Sequence, residues 1–310
     1  MIGILGLVGA VMAGMAADAV TAAKPAAAEP GADDAPPPPP EEKGGDMLDF
    51  AQDGGDGDDI LSGGAGDDTI AGNDGNDLLT GRGGDDLLIG GEGEDVLDAG
   101  AGDDTLEGGA DDDVLRGGDD QDLLYGGDGD DSLAGQMGDD TLYGGDGDDS
   151  LNGGEGADEL HGDAGDDWLA GGYGDDTLHG GAGSDTVDGG HGKDVLYGGD
   201  DEDPDFLNGQ EGDDTLHVGA GDFAHGGEGS DTFVLGEGRP GAPADIADYD
   251  SEHDRLEISY DPETTPDPQM SLVDVAEGTR ILVDGVELAL LRGVTGLSPD
   301  AIRLVPQAAA

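Results

Sequence analysis

The chain has 310 residues, 76 of them Asp or Glu and only 10 Lys or Arg, so its formal charge at neutral pH is −66. Such a balance excludes the basic patches that nucleic-acid binding requires and disfavours attraction to anionic lipid, leaving polyvalent cations as the expected partner. Cysteine is absent, which removes both disulfides and thiolate metal sites.

Residues 1–17 are apolar and rich in Gly and Ala, with no Lys or Arg before them. The segment is short for a membrane span and lacks the charged start of a secretory leader, so two readings stand: a targeting or membrane-anchoring segment, or a short apolar arm. Residues 18–45 are rich in Ala and Pro and include Pro36 to Pro40, the composition of an extended linker without a core of its own.

The stretch GGDGDDSL at 126–133 returns unchanged at 144–151, and from Gly54 to Tyr197 the chain divides into 16 consecutive nonapeptides of the form G-G-x-G-x-D-x-U-x, with U aliphatic. Position six is always Asp: Asp59, Asp68, Asp77, Asp86, Asp95, Asp104, Asp113, Asp122, Asp131, Asp140, Asp149, Asp158, Asp167, Asp176, Asp185 and Asp194. Position four is Gly except at Asp111 and Asp120. Four less regular units come next, the first enlarged around Pro204 and the third, VGAGDFAH, one residue short; the repeat region spans 46–234.

Gly at positions one, two and four suits turns, and x-U-x reads as a three-residue strand with one inward side chain. One leucine per unit cannot make a core alone. If two units form one 18-residue coil, odd and even units build two parallel sheets whose aliphatic residues meet between them. The fold class is therefore all-β, a parallel β-roll with a C-terminal, mostly β cap. Stacking brings each position-six Asp near the one 18 residues later, beside turn carbonyls, which is a hard-oxygen donor set of the kind Ca²⁺ prefers. Sixteen units paired in this way leave up to 14 sites.

These motifs closely resemble the RTX, or haemolysin-type, calcium-binding repeat. The resemblance implies a β-roll holding multiple Ca²⁺ ions on the position-six aspartates, extended to Asp205, Asp214 and Asp231 in the irregular units. The segment DIADYDSEHDRLEISY (245–260) is similar to the stretch found after the repeats in such proteins, which implies export unfolded through type I secretion machinery by an uncleaved C-terminal signal, then folding outside a bacterial cell. Residues 235–310 then combine cap and secretion signal. Within them LEISY and RILVDGVELAL read as strands, Asp284-Gly285 as a hairpin turn, and SPDAIRLV as a short helix capped by Ser298.

No H-E-x-x-H or G-x-S-x-G motif occurs, so no catalytic residue is assigned and the chain reads as a non-enzyme with a structural, adhesive or surface-associated role. The alternative is an exported toxin or enzyme-associated module whose activity lies in an unrecognised segment. Position nine of alternate units places Tyr125, Tyr143, His161, His179 and Tyr197 in one outward row. That row either stabilises the sheet or forms a surface for a cell-surface glycan or another β-roll. Trp168 falls on the opposite sheet.

Overall fold

The computed structural model describes residues 49–199, 201, 203–236 and 242–307. The apolar start and the proline-rich linker lie outside these residues. The described chain alternates between two sheets, one of 13 strands and one of 14, and in the repeat region each strand pairs in parallel with the strand two places later. In one sheet Leu124 lies beside Leu142 and Tyr125 beside Tyr143. In the other, Leu133 lies beside Leu151. Both offsets are the 18 residues of two repeat units.

The strands are longer than the x-U-x expectation. Thr141–Asp146 and Ser150–Glu155 are representative six-residue strands, running from position seven through position three of the next unit and leaving only positions four to six for the turn. Glycine here is strand as well as turn. The pairing steps from Tyr143↔Tyr125 to Gly145↔Gly127 and passes over position one, a regular irregularity that resembles a bulge. Gly145 takes φ +125°, and non-glycine residues at the same repeat position, Arg82 (φ 90°) and Gln136 (φ 87°), are held left-handed too. Asp111 (φ 77°) and Asp120 (φ 78°) do the same at position four, because Asp tolerates this region better than most side chains.

Position eight forms the core. Ile70, Leu79 and Leu88 through to Leu216 and Phe233 are fully buried between the sheets. At the first coil the inward slot is occupied by Gln52, paired with Ile70, and its side-chain amide donates to the Ser62 carbonyl at 2.6 Å. A polar group bonded across the core ends the leucine column at that side.

At the other side, residues after the repeats extend the same two sheets. Arg255–Tyr260 adds in parallel to Thr232–Gly236 and is followed by Ile302–Pro306. In the second sheet Ala244–Ile246 pairs with Val286–Arg292, which joins Gly278–Val283 and then Met270–Asp274 in antiparallel order. Asp284 (φ 50°) and Gly285 (φ 83°) make the expected hairpin turn. The C-terminal helix is corrected to a single 3₁₀ turn, Pro299–Ala301. Ser298 does cap it, accepting from the Asp300 N–H at 3.3 Å. The next residues form a strand because Ile302 and Leu304 pair with Leu256 and Ile258 at the end of the core sheet. Among the described residues no helix is long and apolar enough to cross a membrane.

Candidate metal sites

The short turn of positions four to six turns every position-six Asp toward the interior of the roll. Asp68 and each subsequent one to Asp194, together with Asp205, Asp214 and Asp231, are buried, while Asp59 at the first coil is half-buried. The buried carboxylates stack along the roll. The main-chain N–H of Asp113 donates to Asp131 Oδ1, and that of Asp140 to Asp158 Oδ1, each at 2.8 Å across 18 residues. One oxygen of each side chain is thus used to join coils.

The other oxygen is not. Oδ2 of every position-six Asp from Asp77 to Asp194, and of Asp214, is buried with no hydrogen-bond partner. Unpartnered buried carboxylate oxygens are costly, and here they recur at nine-residue steps. Where position one is glycine, the carboxylate lies against it with no room for a side chain: a Cβ on Gly153 would fall against Asp158 Oδ2, 2.7 Å from the carboxyl carbon and 2.7 Å from the Gly171 carbonyl oxygen. At Gly126, Gly144, Gly153, Gly162, Gly171 and Gly180 the close approach brings two hard oxygens together, the buried carboxylate Oδ2 and the position-one carbonyl of the unit two later. This donor set suits Ca²⁺, which takes carboxylate and carbonyl oxygens in adaptable geometry. The position-six aspartates and position-one carbonyls would hold it, and the ion would neutralise the charge of the buried carboxylates.

The electrostatics agree. Burial pushes the Asp104 carboxyl up to about 7, Asp122 to about 8 and Asp131 to about 6. The N–H donated from one coil earlier opposes the shift in each case, and neighbouring carboxylates add to it. Low dielectric surroundings penalise the charged form until a cation compensates.

Two members of the stack escape the nonapeptide spacing. Asp222, inside the shortened unit VGAGDFAH, is buried in the same row and accepts from the Asp205 N–H at 3.2 Å. Its Oδ2 also accepts from the Gly219 N–H at 2.6 Å. Asp254, beyond the repeats, accepts from the Asp231 N–H at 3.0 Å. Position five has a role that spacing alone does not show: Asp130 Oδ1 accepts from the Asp148 N–H, and Asp148 Oδ1 from the Asp166 N–H, at 3.0 and 2.8 Å. The two adjacent aspartates of a unit therefore bond in opposite directions along the stack. The recurrent Asp-Asp pair is the signal for it in the sequence.

On the 13-stranded sheet the outward row forms a continuous ladder. Ring centroids are 5.1 Å apart for Tyr125–Tyr143, 4.7 Å for Tyr143–His161, 4.8 Å for His161–His179 and 4.4 Å for His179–Tyr197, all nearly parallel. His217 extends it at 4.2 Å from Tyr197, a member that strict 18-residue spacing does not find. Burial lowers the His179 and His217 pKa values, and a neighbouring imidazole adds to the effect in each. Interior rings cover one another's faces and present their edges outward.

Fold and donor geometry together define a class: a parallel β-roll whose turns are calcium sites. The family model for the RTX calcium-binding nonapeptide repeat matches in successive segments from residue 53 to residue 239, more than half of the chain. The protein belongs to that family, and its repeats bind multiple Ca²⁺ ions. No curated protein matches the chain.

Proposed function

We propose that this is a secreted protein that leaves a bacterial cell unfolded through type I secretion machinery, folds on external calcium, and serves a structural, adhesive or surface-associated role without catalytic activity of its own. The observation that carries this reading is the row of buried Oδ2 atoms without partners. In low calcium, a chain of formal charge −66 with such a row is driven apart by repulsion and desolvation and stays threadable. In high calcium the same row is neutralised, so binding and folding are one event.

Far-UV circular dichroism of the full chain during a calcium titration, with magnesium as control, tests the switch. A cooperative gain of β signal with calcium and none with magnesium is expected. A β signal already complete in chelator would remove the basis for calcium-timed export.

A further inference from the structure

The outer face of the 14-stranded sheet carries a second aromatic arrangement with a different geometry. Trp168, Thr186, Phe206 and Phe223 lie in register along one row. On the other side of the same strands Tyr173 and His191 stack with centroids 4.6 Å apart. Between the two rows runs a floor of Ala170, Asp188, Asn208 and His225, also in register. Asp188 Oδ1 accepts from Asn208 Nδ2 at 3.2 Å and from the Gln210 side-chain amide. A shallow, open groove of about 510 Å³ on this face, which begins two strands along the sheet from the strand of Trp168 and Tyr173, is lined by Asn208, Gln210 and His225 together with Glu211, Glu228 and Asp248.

Trp168 differs from the ladder rings. Its neighbours on the adjoining strands are Ser150 and Thr186, so no adjacent-strand ring covers either face, and it is 45% exposed; Tyr173 is 60% exposed and Phe206 41%. The row from Ile60 to Phe223 that contains Trp168 has no charged residue, in a chain whose formal charge is −66. An uncharged row with exposed aromatics, bordered by the carboxylates Glu155, Glu211 and Glu228 in the row of Tyr173 and His191, marks a binding surface for a neutral partner rather than a merely solvated face. The occupant cannot be polyanionic, because the floor offers carboxylate, amide and imidazole groups and no Lys or Arg. A second copy of this chain would set Glu155, Glu211 and Glu228 against the same carboxylates.

We propose that this face binds an uncharged, hydroxyl-rich glycan chain. The C–H faces of its sugars lie on the Trp168 and Tyr173 rings, and its hydroxyls bond to Asp188, Asn208, Gln210 and His225. Aromatic walls around a few convergent polar groups are the usual makeup of a small-molecule site, and columns repeating at the strand spacing of about 4.8 Å suit a linear polymer. The inference gives a ligand class to the adhesive role proposed above and rests on that reading.

Trp168 is the sole tryptophan, so its fluorescence reads the site directly. The calcium-loaded full chain is titrated with neutral oligosaccharides of glucose, galactose, mannose and N-acetylglucosamine, with polygalacturonate as the acidic control. At least one neutral series shifts the emission, longer members bind more tightly, and polygalacturonate does not bind. Asn208→Ala weakens binding about tenfold, the equivalent of a hydrogen bond; Phe206→Ser weakens it also, and Tyr125→Ser on the opposite sheet leaves it unchanged. A wild-type chain that folds in calcium yet binds no neutral sugar, or Asn208→Ala and Phe206→Ser variants that bind as well as wild type, overturns the site. A chain that is folded in chelator and still binds sugar overturns the calcium switch and leaves the site standing.

Discussion

Gly144 and Asp149 lie so close that a methyl group on the glycine would collide with the carboxylate Oδ2, and that same methyl would sit 2.8 Å from the Gly162 carbonyl oxygen. Gly144 is not among the residues with positive φ, so the backbone permits alanine there, as it does at the equivalent Ala99, and what opposes it is the crowding by the two oxygens. Gly144→Ala is therefore expected to push the Asp149 carboxylate and the Gly162 carbonyl apart, to weaken calcium binding there, and to destabilise the calcium-loaded roll by roughly 1–3 kcal/mol through overpacking. Titration calorimetry checks it: calcium binding unchanged in number and strength would show that these two oxygens are not ligands.

Replacing Asp131 with Asn keeps an Oδ1 that can accept the Asp113 N–H now bonded at 2.8 Å and exchanges the unpartnered, charged Oδ2 for an amide NH2 that cannot ligate a cation. The calcium midpoint is expected to rise, with a loss of about 1.4 kcal/mol for each site that calcium fills at ten times its dissociation constant. Asp59→Asn, at the half-buried first coil, should shift the midpoint less, because in a stack each coil draws stability from its neighbours on both sides. Equal shifts for the two variants would mean that the sites act independently.

The nine-residue period makes the two sheets and most of the aspartate stack legible, because strand pairing conserves the period wherever the chain conserves it. What spacing hides lies where the chain changes length but the hydrogen bonds between coils do not. The Asp185 N–H reaches Asp205 across 20 residues and the Asp205 N–H reaches Asp222 across 17. The surplus around Pro204 and the deficit in VGAGDFAH are absorbed between stacked positions, which keeps Asp222 and His217 in their columns. Strand length is hidden for another reason. A glycine pair signals a turn from its conformational freedom, yet in this roll Gly144 and Gly145 belong to a strand, where the missing side chains admit the neighbouring coil. The last strand reads as a helix in sequence because Ser298 and Pro299 carry a strong local signal, whereas Ile302 is placed by pairing with Leu256, distant in sequence.

Gln136 occupies a left-handed backbone position, φ 87°, where the neighbouring coil has Gly154 in the same column. Left-handed backbone costs an ordinary L-residue about 1–2 kcal/mol. Gln136→Gly is expected to stabilise the calcium-loaded roll by up to that amount, offset in part by the greater freedom of glycine in the unfolded chain. Thermal unfolding in saturating calcium measures it, and a lower melting temperature would mean that the side chain makes a contact worth more than the strain.

Tyr143 stacks on Tyr125 at 5.1 Å and on His161 at 4.7 Å, whereas Tyr125 begins the ladder with one ring neighbour. Aromatic pairs contribute about 0.5–1.5 kcal/mol each, so Tyr143→Ser should cost about 1–3 kcal/mol and Tyr125→Ser about half as much. Melting temperatures in saturating calcium give the comparison. Equal losses would show that the rings stabilise the sheet singly and not as a ladder.

Acid should substitute in part for calcium. Burial raises the carboxyls of Asp104 and Asp149 to about 7 and of Asp122 to about 8, above the value of about 3.9 for an exposed Asp. The metal-free folded state therefore binds more protons than the unfolded state. This contribution favours the folded form fully below the unfolded value, and is lost as pH rises through the folded values of about 6 to 8. In chelator, lowering the pH from about 8 to about 5 is expected to increase β signal while the chain stays above its sequence pI of about 4.1. In calcium the dependence reverses, because each ligand must lose its proton to bind, so the calcium midpoint rises as pH falls through the same window. Circular dichroism in both conditions separates the two effects. A metal-free chain as unfolded at about pH 5 as at about pH 8 would mean that charge on these carboxylates is not what keeps it open.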